Sequence, residues 1–225
     1  MEDHLDSTDD IPTPWPGLTE LAEISHRRKI GVVAQRGSRE ARVGRDVAVH
    51  AARAGIPTLL YTGYPPHKIP EYLVVDETPR PTASQVTAAA QRRIDGQPTQ
   101  LVVIERYERL APEPAALPAP GEEDPGGGER PSRADELLWA VRDIRITIPL
   151  LLTTVVTPPP DLSRRMGTWL DIDHPAMVMT DACPHTLVLS RTGPETVAAR
   201  LEVDVYEYRT GNQYVLQWAP LDLRR

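Results

Sequence analysis

Four short, mainly apolar runs separated by helix-like stretches constrain the fold more than any other feature of this sequence. The runs are residues 30–34, 56–61, 101–104 and 148–155. Apolar runs without polar alternation are typical of strands that are buried on both faces of a parallel sheet. The helices that would connect them are predicted at residues 41–54, 82–94 and 134–143. This alternation predicts βαβ units and therefore an α/β fold.

The last part of the chain has a different pattern. Short strands are predicted near residues 177–179, 186–190, 201–208 and 214–218, after a helix around residues 162–170. Arg209-Thr210-Gly211-Asn212 separates two alternating runs and is typical of a hairpin turn. We therefore expect the sheet to end in a C-terminal antiparallel hairpin.

Two irregular segments are predicted beside one domain, because 225 residues suffice for a single α/β core. Residues 1–14 combine five acids in the first ten positions with Pro12 and Pro14, so we expect a flexible acidic N-terminus and order from near Trp15. Residues 111–133 contain six Pro and four Gly, which predicts a disordered insertion. Residues 15–225 are thus expected to form one interrupted domain.

Composition excludes several classes of protein. The formal net charge of -7 argues against a surface built throughout for nucleic acid. Eight Lys or Arg between residues 26 and 53 nevertheless form a local basic strip. A lone cysteine, Cys183, excludes an internal disulfide, and no apolar run approaches the roughly 18 residues of a membrane span. We expect a cytoplasmic protein without a membrane partner.

The segment from Val32 to Gly55 has the outline of a phosphate loop: an apolar strand, a turn that opens at Arg36-Gly37-Ser38, and a helix rich in small residues. A phosphate loop also needs a Gly, a Lys that reaches the phosphates and a hydroxyl for Mg²⁺. The sequence has no such Gly-Lys-Ser/Thr triplet, since Glu40-Ala41-Arg42 stands there.

Several short sequence motifs, and the order in which they occur, resemble the RecA-like ATPase domain of DnaB-type replicative helicases. They are W-P-G-L-T-E-L at residues 15–21, the loop at 35–42, L-V-V-I-E-R-Y-E-R-L at 101–110, the helix and strand at 137–155, and Arg209-Thr210-Gly211. The resemblance covers roughly residues 15–218. It implies a RecA-like fold, in which a mostly parallel sheet is flanked by helices.

The same resemblance implies a degenerate nucleotide site. Glu40 takes the place of the family's Gly, Ala41 that of the Lys and Arg42 that of the hydroxyl residue. No carboxylate stands at residues 62–64, where the family has its catalytic acid, and Val155 replaces a polar sensor. The degenerate site would comprise Arg36, Gly37, Ser38, Arg39, Glu40, Ala41, Arg42 and Glu105.

Glu105 and Arg209 keep the chemical type that the family has at these places. Glu105 would correspond to a metal-linked carboxylate, although a strand-end carboxylate paired with Arg106 or Arg109 is the simpler interpretation. Arg209 would correspond to an arginine that acts on the nucleotide of a neighbouring subunit, and the alternative is a turn arginine in solvent.

Three functions follow as hypotheses. The first is a catalytically inactive, helicase-like RecA-fold protein that works as a regulatory or assembly partner in DNA replication or recombination, with no cofactor and a RecA-like or helicase subunit as partner. The second is an ATPase whose non-standard phosphate site uses the arginines of residues 36–45 together with Glu105. The third is a DNA-binding accessory protein that uses the basic strip at residues 26–53.

Other reactive residue types receive ordinary interpretations. Asp171-Ile172-Asp173-His174 has metal-ligand chemistry but no second cluster nearby in sequence, so we interpret it as a polar loop. Cys183 is interpreted as a small buried hydrophobic residue rather than a nucleophile activated by His185. Trp139 is expected to be a core or interface anchor.

Overall fold

The computed structural model describes residues 10–15, 18–19, 22–26, 28–35, 42–113, 131–156, 175–183, 185–191, 196–204 and 218–222. The strands are β1 Lys29–Gln35, β2 Thr58–Tyr61, β3 Leu73–Asp76, β4 Arg93–Ile94, β5 Gln97–Pro98, β6 Leu101–Ile104, β7 Leu150–Val156, β8 His185–Arg191, β9 Thr196–Asp204 and β10 Trp218–Asp222. The helices are α1 Val43–Arg53, α2 Ala83–Ala90, α3 Arg133–Asp143 and α4 Pro175–Ala182.

One large sheet organises the described part of the chain, with the strand order β10-β9-β8-β1-β7-β6-β2-β3. The strands from β8 to β3 in this order pair in parallel. Strands β9 and β10 continue the sheet in antiparallel pairing. The prediction of a mostly parallel sheet with antiparallel C-terminal strands is therefore confirmed, whereas the predicted turn at residues 209–212 lies outside the described residues.

The central strands are buried on both faces, as their apolar composition predicts. In β6, Leu101 and Val103 pack toward α1, whereas Val102 and Ile104 pack toward α2, α3 and α4. Successive side chains of a strand point to opposite faces, so a continuous apolar run supplies both cores. Helices thus cover both faces of the parallel part of the sheet.

Two glycines let helices approach the sheet closely. A Cβ atom on Gly44, in the first turn of α1, would lie 2.9 Å from Cγ2 of Thr153. A Cβ atom on Gly31, in β1, would lie 2.6 Å from Cγ of Met179 in α4. Both distances are shorter than a carbon contact allows, so a side chain at either position would require the neighbouring side chains or the helix to shift.

The strand predicted at residues 177–179 is wrong, because these residues lie within α4. Pro175 opens that helix, where its missing N–H costs nothing. Val178, Met179 and Ala182 are buried at helical spacing. A run of three apolar residues fits both the period of a helix and that of a strand, so the sequence pattern does not distinguish the two structures.

The helix predicted at residues 82–94 ends earlier, at Ala90. Asp95 and Gly96 then form a two-residue turn with positive φ at both positions, and this turn joins the short hairpin β4–β5. Asp-Gly is the strongest short signal for such a hairpin. In addition, β3 forms an edge strand that the sequence pattern does not predict.

The C-terminal strands are displaced from their predicted positions. The strand expected at 201–208 is β9, Thr196–Asp204, and the strand expected at 214–218 is β10, Trp218–Asp222. Their antiparallel pairing sets Trp218 against Arg200. The helix predicted around residues 162–170 lies outside the described residues.

Residues before Trp15, within the segment predicted to be a flexible N-terminus, make contacts with the domain. Ile11 and Thr13 are buried, and the Asp10 carboxylate accepts hydrogen bonds from the amides of Ile11 and Ser25. The sequence pattern missed this anchor because its prolines interrupt any regular element. Residues 1–9 lie outside the described residues.

The two ends of the Pro/Gly-rich segment at 111–133 also make contacts with the domain. Ala111 bridges to Thr82 beside α2, and the Glu113 carboxylate accepts from the Ser84 amide at 2.6 Å. At the other end, Arg133 donates to the carbonyl of Leu110. Residues 114–130 lie outside the described residues.

Candidate functional site

An open cleft of about 870 Å³ lies where the parallel strands end. Glu105 and Arg106 follow β6 into this cleft, and Val155 reaches it from β7. One wall is the outer face of α1, and the other is the loop at residues 64–68, which follows β2. The carboxyl edge of a parallel sheet is where α/β proteins bind ligands, so the fold itself marks this position.

Glu105 is the buried carboxylate at the base of the cleft, with 9% of its surface exposed. Its Oε1 accepts from the Arg45 amide at 3.1 Å, and its Oε2 accepts from the Thr62 hydroxyl. Burial raises the pKa of Glu105, and the Thr62 hydrogen bond and the nearby Arg45 offset this only in part. Both carboxylate oxygens therefore have donors from within the protein.

The Arg45 amide belongs to the first turn of α1. The first amides of a helix lack intrahelical acceptors, and together with the helix dipole they favour an anion. The N-cap residue, Arg42, supplies no side-chain acceptor of its own. Glu105 instead brings a carboxylate from a neighbouring strand, so the protein places its own acid beside the helix N-terminus.

The hydrogen-bond network continues from Glu105 to Tyr64. The Thr62 hydroxyl, which donates to Glu105, also accepts from the Tyr64 amide at 3.0 Å. Nη1 of Arg45 donates to the Tyr64 carbonyl at 2.9 Å. The Tyr64 side chain nevertheless remains 69% exposed at the cleft. Its backbone is thus held from both sides while its ring faces solvent.

Basic side chains line both walls of the cleft. Arg42, Arg45 and Arg53 lie on one face of α1, and Lys68 lies on the opposite loop. Among the described lining residues, the permanent cations are Arg42, Arg45, Arg53, Lys68 and Arg106, and the acids are Asp46 and Glu105. Five permanent cations against two acids make the described lining of the cleft electropositive, in a protein whose overall charge is -7. Burial raises the pKa of both acids.

The interpretation of Glu105 as the partner of Arg106 or Arg109 is wrong. Nε of Arg106 pairs with Oε1 of Glu108 at 3.0 Å, and Nε of Arg109 donates to the Pro79 carbonyl at 3.1 Å. Arg106 has a φ of 59°, and a tight turn at Tyr107–Arg109 follows it. Both Nε groups are thus bonded to acceptors other than the Glu105 carboxylate.

The structure brings two of the predicted site residues together, since Arg42 and Glu105 both line the cleft. Residues 36–41 and Arg209 lie outside the described residues, so their predicted roles stay predictions. Val155, predicted to replace a polar sensor, does line the cleft. Its apolar side chain offers no hydrogen bond to a ligand.

Not every described cation of the basic strip predicted at residues 26–53 lines the cleft. Lys29 is half-buried, and its Nζ donates to the Val141 carbonyl at 2.6 Å, so it binds the end of α3. Burial lowers the pKa of Lys29. Residues before β1 lie at the amino edge of the sheet, whereas Arg42 and Arg45 lie at the carboxyl edge, because the strand separates them.

Sequence reasoning missed the roles of Thr62, Tyr64 and Lys68. Thr62 directly follows a predicted strand, and a polar residue at that place is a usable signal for the carboxyl edge of a sheet. No sequence signal predicts the role of Tyr64 in the cleft, because that role depends on the conformation of the loop at residues 64–68 in the folded protein.

Other candidate chemistries receive little support. Within the described residues, no group of three or more His, Cys, Asp or Glu side chains could hold a metal ion, and the cluster at 171–174 lies outside them. Cys183 is buried, and burial raises its pKa to about 12, so its thiolate is scarce at neutral pH.

Trp139 is 51% exposed on α3, which excludes it from the core. No helix in the described ranges is long and apolar enough to cross a membrane.

Comparison with known proteins identifies the fold of this chain but does not assign the chain to a protein family. No protein-family profile and no curated protein matches this sequence. A DnaB-like replicative helicase, whose structure was solved together with its interactions with primase, is similar with a TM-score of 0.65 and 9% identity over 95% of this chain and 61% of the helicase. This chain thus spans about three fifths of that protein.

A second solved structure, which is an ATPase domain, is similar with a TM-score of 0.61 and 9% identity, over 95% of this chain and 88% of that domain. Identities this low carry information on architecture alone. The chain therefore has the RecA-like fold of DnaB-like helicase ATPase domains.

Proposed function

We propose that this chain is a RecA-fold protein that does not hydrolyse nucleotide and that works by binding, as a regulatory or assembly partner of a RecA-like or helicase subunit. One observation carries the first half of this proposal. The Glu105 carboxylate accepts from the Arg45 amide in the first turn of α1, where a phosphate would otherwise be held. A second anion there would meet a buried acid.

The residues fit Mg²⁺–ATP poorly. Phosphoryl transfer depends on positioned charge, chiefly a Lys on the phosphates and a metal held by a hydroxyl and a carboxylate. Ala41 stands in the Lys place and Arg42 in the hydroxyl place, according to the resemblance. Glu105, which the resemblance puts in the place of the metal-linked carboxylate, already accepts from Arg45 and Thr62. The Lys and the hydroxyl residue are therefore absent, and the carboxylate is already hydrogen-bonded within the protein.

The partner half of the proposal rests on the fold and on Arg209. RecA-like domains of helicases pack beside one another, and the resemblance places Arg209 at such a shared edge. A chain that keeps this fold while losing the catalytic residues is suited to binding an intact subunit. A role in DNA replication or recombination follows from the kind of partner.

ATP turnover tests the first half. Purified protein incubated with Mg²⁺ and ATP should release no phosphate above the rate of a protein-free sample, and calorimetric titration should show no saturable, Mg²⁺-dependent heat. Glu105→Gln, which keeps the size of the side chain, serves as the matched variant. Mg²⁺-dependent turnover that Glu105→Gln abolishes would establish an ATPase with a non-standard site and refute the proposal.

Association with the replicative helicase of the same organism tests the second half. Purified wild-type protein and Arg209→Ala are each mixed with that helicase and resolved by analytical ultracentrifugation. We expect a complex with the wild type that is weakened by Arg209→Ala. No complex, or equal complexes with both proteins, would count against the shared-edge arrangement.

Nucleic-acid binding is a second candidate function. The basic side chains that line the cleft favour it, since phosphate contacts supply most of the affinity of proteins for nucleic acids.

A further inference from the structure

We propose that the groove between α1 and the loop at residues 64–68 binds the phosphodiester backbone of a single-stranded nucleic acid, with Tyr64 stacking on a base. This inference extends the proposed function, because it names the ligand class of a protein that works by binding. The groove runs along the side of α1, whereas a nucleotide phosphate would sit at the N-terminus of that helix.

The first support is the arrangement of charge along α1. Arg42, Arg45 and Arg53 are separated by three and eight residues, so they lie within about 80° of one helix face. From the first to the last, the helix rises about 16 Å, which is longer than a single phosphate group needs. Lys68 faces this row from the other wall of the cleft. The cations thus follow an extended anionic chain better than a compact anion.

The second support is that some of the cations on these walls are bonded to other groups of the protein, whereas others are exposed to solvent. Arg45 is held by its hydrogen bond to the Tyr64 carbonyl, and Arg106 by its ion pair with Glu108. Arg42, Arg53 and Lys68 are exposed. Two arginines therefore shape the groove, and three exposed cations are available for phosphate contacts.

The third support is Tyr64, which distinguishes a nucleic acid from an acidic protein segment. The amide and carbonyl of Tyr64 are fixed by Thr62 and Arg45, while its side chain is 69% exposed. An exposed aromatic ring on a fixed backbone, beside a basic groove, is the arrangement on which single-stranded bases stack. An acidic peptide would use the cations and gain little from the ring.

The test is fluorescence anisotropy of a labelled oligothymidylate of about 15 nucleotides, titrated with the full chain. Three to five phosphate contacts predict an affinity that falls about 20- to 130-fold between about 50 and 200 mM salt. The variant Arg42→Ala/Arg53→Ala/Lys68→Ala should bind at least about tenfold more weakly at the lower salt, with a flatter salt dependence.

The matched control is Arg80→Ala/Arg92→Ala/Arg145→Ala. It removes the same charge from exposed arginines that do not line the cleft, so its affinity should stay within about twofold of wild type. Tyr64→Ala should weaken binding about tenfold without changing the salt dependence, and Tyr64→Phe should restore it. Circular-dichroism melting curves establish that each variant is folded.

Three results would overturn the inference: no saturable binding at about 50 mM salt, equal losses in the two triple variants, or displacement by polyglutamate combined with no effect of Tyr64→Ala. The last result would assign the groove to an acidic protein segment. ATP turnover is measured on the same samples, and turnover would refute the proposed function while leaving the oligonucleotide result intact.

Discussion

The carboxylate of Glu105 accepts a hydrogen bond from the amide of Arg45, a residue 60 positions earlier in the chain, at 3.1 Å. This bond joins the end of β6 to the first turn of α1. Because Thr62 donates to the other oxygen, three separate segments converge on one buried acid. The base of the cleft is therefore organised by a side chain of the protein itself.

Removal of the Thr62 hydroxyl should destabilise the protein. Thr62→Val keeps the shape of the side chain but deprives Glu105 of a donor and the Tyr64 amide of its acceptor. A buried group left without its partner costs about 1–3 kcal/mol, whereas Thr62→Ser should cost less than half as much. Urea unfolding measures both free energies. Equal stability of the Val and Ser variants would contradict the network.

Ionisation of Glu105 should make stability depend on pH. Burial raises the pKa of Glu105 above its ordinary 4.5, so the folded protein holds this proton more tightly than the unfolded chain. The resulting stabilisation is complete below the unfolded-state pKa and is lost as pH rises through the folded-state pKa. Glu105→Gln cannot ionise, so its stability relative to wild type should increase as pH rises above 4.5.

Urea unfolding of wild type and Glu105→Gln at several pH values measures that relative stability. Asp46 also has a raised pKa from burial, but it is present in both proteins and largely cancels in the difference. A relative stability of Glu105→Gln that is constant, or that decreases with pH, would contradict the burial of a carboxylate whose hydrogen bonds compensate for its desolvation only in part.

An alanine at position 44 should be destabilising, although Gly→Ala in a helix is normally favourable by about 1 kcal/mol. The new Cβ would lie 2.9 Å from Cγ2 of Thr153, and overpacking of this kind costs about 1–3 kcal/mol. Thr153→Ser removes that methyl group and keeps the hydroxyl, which accepts from the Arg106 amide. The double variant should therefore recover stability, and additive effects in the double-mutant cycle would refute the contact.

The left-handed backbone at Arg106, with a φ of 59°, should discriminate between two replacements. Arg106→Asn and Arg106→Val both remove the ion pair with Glu108. Asn tolerates this conformation, whereas a β-branched residue does not, so the Val variant should be less stable by about 1–2 kcal/mol. Thermal unfolding provides the comparison. A Val variant as stable as the Asn variant would mean that residue 106 adopts another conformation.

Local sequence patterns predict the strands and helices better than they predict contacts. The run Leu101–Ile104 is buried on both faces as expected, because a continuous apolar strand has few alternatives in an α/β chain. Residues 177–179 fail because three apolar residues fit either a strand or the buried face of α4.

The site is harder to predict, since it depends on strand order. Thr62 and Glu105 meet because β2 and β6 are neighbours with Tyr61 beside Ile104, and no local pattern contains that pairing. The expectation that Glu105 pairs with Arg106 or Arg109 is wrong for the same reason. Its hydrogen-bond partners, Arg45 and Thr62, are distant in sequence and are brought close by the order of the strands.

The position of β1 has a consequence for synthesis of the protein. Lys29 pairs with Leu150, and Ile30 pairs with His185, so both neighbours of this central strand come from much later in the chain. At about 5–20 residues per second, a ribosome needs roughly 6 to 24 s to advance from residue 29 to residue 150. During that interval β1 has neither of its neighbouring strands, and its apolar residues are open to chaperones and to other nascent chains.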